Sequence, residues 1–363
     1  MAKKKAQVRI TLTLPDGSRK YFSGSTRKEA EEKRDEAKIL LAKGYDISSR
    51  ITFRELYNVW MKKYKARRNL HARTIETAEG IFDRYLLPAF GDMPITDIKP
   101  AHIDNLLIAT ANLSQSTQKK CLEYTRSVFD LAIENELVPR SPTHKKKPTA
   151  EKSEKVRALT DAQCEALLEA VKGTRAYLFV YILLNCGLRK GEALGLMWSD
   201  IDFDKMMLRV DRSLVHSNKD QIGTISNLMK TDASHRTIPL SGEAVELLRS
   251  EKEKSDSRYI FSMKDGKPLT YPSFRRLWDL IAYRTIGGPN VSDRVQQTLD
   301  FTVHPHQLRH TCCTRWLANG FTPKEVQYLM GHATSSVTMD IYADYLAQQE
   351  LEKTAEKIRA RNV

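Results

Sequence analysis

The sequence predicts a mainly α-helical chain with small β-sheets, an α+β fold spread over three domains. At 363 residues it exceeds one ordinary domain and has room for several cores. Apolar residues recur at helical spacing over most of its length, behind Thr-x-x-Glu/Gln starts at Thr26, Thr52 and Thr160. Strand-like runs are confined to the start of the chain and to residues 206–240.

The first domain is placed at residues 1–48. Val8, Ile10, Leu12 and Leu14 alternate with Arg9, Thr11 and Thr13, the pattern of a half-buried strand, and Pro15-Asp16-Gly17 turns the chain into a second strand from Arg19 to Ser23. Thr26-Arg27-Lys28-Glu29 reads as a capping box for a helix to about Lys43, ended by Gly44. Lys3, Lys4, Lys5, Arg9, Arg19 and Lys20 make this unit basic, as either a solvated face or a DNA contact.

The second domain, residues 49–140, is expected to be all-helical. Thr52-Phe53-Arg54-Glu55 opens it, and Phe53, Leu56, Tyr57, Trp60 and Tyr64 form an apolar stripe that belongs to a core. Helical patterns follow at Thr74–Leu87, Pro100–Thr110 and Ser116–Asn135, with Pro88, Gly91, Pro94 and Asn112-Leu113-Ser114 as breakers. Lys62, Lys63, Lys65, Arg67, Arg68, Lys119, Lys120 and Arg126 are either phosphate contacts or solvated helix residues. Residues 141–155 read as a linker, because prolines resist helix and Lys145, Lys146 and Lys147 repel one another. Those lysines either track a DNA backbone or belong to a plain tether.

The third domain, residues 156–363, opens with the box Thr160-Asp161-Ala162-Gln163 and a buried helix from Tyr177 to Leu184. Arg189 and Glu192 sit i,i+3, the spacing of a helical ion pair. Runs at Met206–Arg212, Gly223–Leu228 and His235–Leu240 predict one small antiparallel sheet, followed by helices at Gly242–Lys252 and Tyr271–Arg284. Near the C-terminus His306 and Arg309 share a helix face, Thr322 and Pro323 open the next helix, and Gly331-His332 ends it. Tyr342 follows His332 by ten residues, and Tyr345 is a rival three residues on.

A formal charge of +14 points to a polyanionic partner, most simply nucleic acid. Five cysteines without a C-x-x-C spacing argue against a disulfide framework or zinc ribbon and fit a reducing cytoplasm. The N-terminus lacks an apolar signal segment, and the longest apolar run, Ala176–Leu184, is too short to span a bilayer. His304, His306 and His310 come without the partners of a zinc motif, so no metal and no cofactor is expected. Arginine forks match phosphate oxygens, imidazoles add donors, and a phenol can attack phosphorus, so Arg309, His306, His332 and Tyr342 point to chemistry on a phosphodiester.

His306-x-Leu308-Arg309-His310, then Leu329-Met330-Gly331-His332, then Tyr342 resembles the C-terminal signature of the tyrosine recombinases, the phage and conjugative-transposon integrases. Gly187-Leu188-Arg189-Lys190-Gly191-Glu192 matches the family's upstream arginine motif, and Lys230, ahead of Ser234-His235-Arg236-Thr237-Ile238-Pro239-Leu240, matches its hairpin lysine. The resemblance implies an arm-type DNA-binding domain, a helical core-binding domain and a catalytic domain. It implies that Tyr342 forms a 3′-phosphotyrosyl bond, that Arg189, Arg309, His306 and His332 hold the phosphate, that Lys230 protonates the leaving 5′-oxygen and that Glu192 supports Arg189. Double-stranded DNA at attachment sites is the implied partner, with assembly as a tetramer on DNA and accessory directionality or bending proteins. The tail with Leu346, Leu351, Ala355 and Ile358 is expected to dock on a neighbouring copy. Two alternatives remain: a DNA-binding regulator without turnover, disfavoured by the intact set, and a topoisomerase-like nicking and closing enzyme, disfavoured by the basic N-terminal unit.

Overall fold

A computed structural model describes residues 7–46, 50–67, 70, 72–152, 156–216, 223–226, 234–286 and 299–361. The chain divides into two compact units, Met1–Glu154 and Lys155–Val363. In the first, β1 (Val8–Thr13) and β2 (Arg19–Gly24) pair antiparallel, with Ile10 opposite Phe22. Gly17 makes the turn at φ 81°, a conformation open to glycine without a side-chain clash. Leu12, Leu14 and Phe22 pack on α1 (Arg27–Ala42) through Ala37, Leu40 and Leu41. The capping box expected at Thr26 forms only by half. Thr26 Oγ1 accepts the Glu29 N–H at 3.2 Å. The Glu29 carboxylate instead accepts from the Ser25 N–H and hydroxyl and from Lys33, because Ser25 offers two donors to one oxygen.

A larger core follows in the same unit, built from α2 (Phe53–Lys65), α3 (Ala72–Ile81), α4 (Leu87–Phe90), α5 (Pro100–Ala109) and α6 (Gln115–Glu134). At Thr52 the capping box is complete, and Phe53 is fully buried with its ring edge-on to Phe90 at 4.8 Å. Pro88 does not end the helix as expected. The backbone widens into a π-helical turn, Phe82–Leu86, with the Leu87 N–H donating to the Phe82 carbonyl, and helix resumes to Phe90. The wider turn accommodates a proline ring that would clash with an ordinary α-helical ladder.

The expected flexible linker is an ordered strap over residues 141–150. Thr143 and Ala150 are buried, and Gln118 Oε1 accepts the N–H groups of Thr149 and Ala150 at 2.8 Å each. Lys146 pairs with Asp104 at 2.5 Å. Backbone donors that find a buried glutamine hold the segment where charge repulsion alone would have freed it.

The second unit contains α7 (Asp161–Val171), α8 (Tyr177–Cys186) and α9 (Lys190–Leu194), then the strands β3 (Ile201–Asp202), β4 (Met207–Val210), β5 (Ser213–His216), β6 (Gly223–Ser226) and β7 (Arg236–Pro239). Among the described residues it continues with α10 (Gly242–Glu253), α11 (Tyr271–Ile286), α12 (Pro305–Ala318), α13 (Pro323–Met330) and α14 (Ser335–Arg361). Helix α8 is buried at nearly every position and packs against α12. Among the described residues the strands of this unit make two sheets, ordered β3-β4-β7 and β5-β6, where one sheet was expected. Arg212, read as the end of a strand, instead grips both oxygens of the buried Asp200 at 2.6 and 2.7 Å. The chain thus leaves the first sheet, and β5 pairs with β6. Glycine lets α9 lie directly on β5, since a Cβ on Gly191 would come within 2.8 Å of the Leu214 carbonyl. Among the described residues no helix is long and apolar enough to cross a membrane.

Candidate active site

The site grows from the end of α8. Gly187 adopts a left-handed conformation at φ 59°, turning the chain so that Leu188 is buried and Arg189 opens α9. One turn later Glu192 is 2% exposed. Its carboxylate accepts from the Arg189 N–H at 2.9 Å, from Arg189 Nη1 at 2.6 Å and from Arg236 Nη2 at 2.8 Å, with Arg309 Nη1 at 3.8 Å. Three guanidiniums therefore surround one carboxylate. Burial works to raise the Glu192 pKa, yet Arg236, Arg189 and Arg309 outweigh it and hold the group down to about 2.

Each arginine also ties the site to the α13–α14 turn. Arg189 Nη2 donates to the Gly331 carbonyl at 2.8 Å, and Arg236 Nε donates to the Leu329 carbonyl at 2.7 Å. Arg309, on α12 and 2% exposed, donates to the carbonyls of Gly187 and Met330. Burial and then Arg189 lower the Arg309 pKa to about 9, with Glu192 opposing them. The arginine therefore stays cationic at neutral pH.

His332 follows Gly331, which ends α13 in a left-handed turn at φ 63°. Its Nδ1 lies 2.8 Å from the hydroxyl of Thr338, itself 1% exposed on α14. Burial first, then Arg309, Arg189 and Arg236, lower the His332 pKa to about 4. His306 is likewise held below its ordinary value by loss of water around the ring and by Arg309 and Arg189. His310 is held down by burial and His306, against an opposing pull from Asp344. These imidazoles are neutral near pH 7, so they can donate through one nitrogen and accept through the other.

Arg189, His306, Arg309, His310 and His332 line one cavity of about 290 Å³, with Ser234, Val337 and Ile341 among its other walls. A neighbouring hollow shares Arg189, His306 and Arg309 and adds Lys190 and His304. The structure thus brings together four of the six expected catalytic residues, with Glu192 behind them. Tyr342 is half-buried and packs against the cluster of Cys313, Leu317, Val326 and Met330, of which Met330 also lines the cavity, while Val337 and Ile341 form the α14 wall. Lys230 lies outside the described residues, as do Lys3, Lys4, Lys5 and Arg68. Lys62, Lys63, Arg67, Lys119, Lys120, Arg126, Lys145 and Lys147 are exposed, whereas Lys146 is paired with Asp104.

Arg236 and Thr338 were not foreseen as parts of the site, and His310 was weighed only as a zinc ligand. Arg236 sits in the Ser-x-Arg-x-Ile-Pro-Leu run that singled out Lys230, and its place at the head of an alternating strand was the available signal. Thr338 stands one helical turn before Tyr342 and carried no signal beyond that spacing.

The model of the phage integrase family matches residues 157–349, and that of the phage integrase N-terminal SAM-like domain matches residues 52–108. The chain is similar to a tyrosine recombinase XerC-like protein of Caldanaerobacter subterraneus, 27% identical with 95% of this chain and 94% of the relative covered. It is similar to the transposase from transposon Tn916 of Enterococcus faecalis, 26% identical with 92% and 82% covered. Its fold is similar to that of the Tn1549 transposon integrase in complex with transposon right end DNA, 25% identical at a TM-score of 0.69, covering 84% of this chain and all of that one. The fold is also similar to that of a lambda integrase tetramer bound to a Holliday junction, 19% identical at a TM-score of 0.59, with 92% of each chain covered. With a family match over more than half of its length, the chain belongs to the phage integrase family, as a tyrosine recombinase of the integrase type that cleaves and rejoins DNA.

Proposed function

We propose that the protein is a site-specific recombinase that integrates and excises a mobile element through a covalent bond between Tyr342 and DNA. The observation that supports this most directly is the cavity in which Arg189 and Arg309, both anchored on Glu192, meet the neutral rings of His306 and His332. A phosphodiester bound there loses water and gains fixed cations aimed at its non-bridging oxygens, which stabilises the pentavalent state more than the ground state.

Tyr342 Oη attacks phosphorus in line, forming the tyrosyl O–P bond as the bond from phosphorus to the 5′-oxygen breaks. His306, uncharged at neutral pH, is able to accept the phenolic proton, and Lys230 gives a proton to the leaving 5′-oxygen. The reverse attack by a 5′-hydroxyl of another strand rejoins DNA, so phosphodiester energy is conserved. Tyr342 packs against the apolar cluster that contains Cys313, Leu317, Val326 and Met330.

Two duplexes with two strands each to exchange require four such sites, so the working form is a tetramer on DNA in the host cytoplasm, aided by accessory proteins that set direction. The test uses a nicked duplex built from the repeated core sequence that flanks the inserted element. It should form an adduct that survives denaturation, is abolished by Tyr342→Phe and persists in Tyr345→Phe. Loss of the adduct in the second variant alone would move the nucleophile to Tyr345. Relaxation of any supercoiled DNA without joining of two duplexes would show a topoisomerase instead, and binding with no adduct a regulator.

A further inference from the structure

We infer that Thr338 is a positioning residue for His332, setting the ring so that Nε2 carries the hydrogen offered to the phosphate and tying that ring to the helix that bears Tyr342. The inference rests on the recombinase reading of the cavity. Five helical threonines among the described residues, Thr77, Thr125, Thr311, Thr314 and Thr354, turn their hydroxyls back to the carbonyl four residues earlier. Thr338 instead meets a histidine, His332 Nδ1 at 2.8 Å.

The backbone of His332 is already held. Its N–H donates to the Gln327 carbonyl at 3.1 Å, and its own carbonyl accepts from Gln327 Nε2 at 3.3 Å. That leaves the ring torsions and the tautomer to be set by the side chain's own contact. A buried hydroxyl that donates to Nδ1 leaves the hydrogen on Nε2, the form able to bond a phosphate oxygen. With the hydrogen on Nδ1, Nε2 would present a lone pair to an anion and repel it. Thr338 and Tyr342 are i,i+4 on α14 and share a face, so the contact that orients the donor also registers the nucleophile's helix against the cavity.

Thr338→Val keeps the shape and removes the hydroxyl, while Thr338→Ser keeps the hydroxyl and removes the methyl. In single-turnover cleavage of the nicked core duplex, Val should lose about tenfold in rate and Ser should stay within about threefold of the parent, with DNA affinity unchanged in both. In a His332→Gln background the Val substitution should have no further effect. Nitrogen spectra of the His332 ring, recorded on the full chain without DNA, should show one Nε2–H tautomer in the parent and in Ser, and a mixture in Val. An unaffected Val variant, a Ser variant slower than Val, or a Val loss that persists without His332 overturns the inference. Failure of the parent to form a Tyr342-dependent adduct would defeat the recombinase reading, and the ring spectra would still decide whether Thr338 sets the tautomer.

Discussion

Arg236 and Glu192 form an ion pair out of reach of solvent: Nη2 donates to Oε2 at 2.8 Å, and the side chains are 0% and 2% exposed. The same guanidinium donates to the carbonyls of Leu329 and Ser234, so one side chain fastens β7, α9 and the end of α13 together. Removing one partner from a buried pair leaves a charge and several acceptors uncompensated. Arg236→Met should therefore lower the unfolding free energy by about 3 kcal/mol, read by urea denaturation. Arg236→Lys should recover only part of this, because an ammonium cannot reach three acceptors set for a planar fork. A change within about 0.5 kcal/mol would mean that Arg189 and Arg309 satisfy Glu192 without it.

Arg189 and Arg309 should fail differently when cut to alanine. The Arg189 side chain is 39% exposed, so its loss should spare the fold and reduce cleavage by about a hundredfold or more, with DNA affinity nearly intact. The Arg309 side chain is 3% exposed and bonded to two carbonyls that its removal would strand. Arg309→Ala should show the same loss of cleavage together with a lowered melting temperature. Gel shifts beside single-turnover rates and thermal unfolding separate the cases, and equal losses in binding would reduce both arginines to phosphate anchors.

The buried charges also predict how stability depends on pH. His332 titrates at about 4 when folded, against an ordinary 6.5, so between those values the unfolded chain takes a proton that the folded one refuses. Stability should fall as pH drops from 6.5 to 4, and His332→Gln should flatten that window in part, with His306 and His310 adding to the slope and the lowered carboxylates adding to it near its acid end. Glu192 acts lower: its contribution is complete above about 4.5 and is lost as pH falls toward about 2. Denaturation at a series of pH values tests this, and parallel curves for parent and variant would remove His332 from the account.

The parts that were legible in the sequence were local. Thr52 and Thr160 form full capping boxes because each signal and its partner lie within one turn, Thr322 and Pro323 open their helix as read, and the apolar stripe of α2 fixes which face is buried. His306 and Arg309 meet on α12 for the same reason. What was not legible depends on distant partners. Arg236 finds Glu192 across 44 positions, and Arg212 finds Asp200 at the point where the chain passes from one sheet to the other. The strap at residues 141–150 carries a linker's composition, and only the buried Gln118 on α6 shows why it is fastened. Tyr342 was identified by its spacing from His332, but spacing says nothing of the apolar cluster it packs against.

The tail makes the last prediction. Helix α14 runs unbroken from Ser335 to Arg361, and beyond Tyr345 its apolar residues Leu346, Leu351 and Ile358 are 43%, 69% and 56% exposed. Burying such side chains gives about 1.5–3 kcal/mol each, which a neighbouring copy on DNA can supply and a lone protomer with this face open does not. Replacing all three by glutamine keeps the helix and removes the incentive to dock, whereas cutting the chain after Tyr345 also shortens the helix that carries the nucleophile. If the face docks in trans, the triple variant should bind a single core half-site like the parent. It should then fill the full site with weaker cooperativity and impair strand exchange. Gel-shift titrations on half and full sites, beside a recombination assay, decide the matter. Parent-like cooperativity and exchange in the triple variant would show that this face takes no part in assembly.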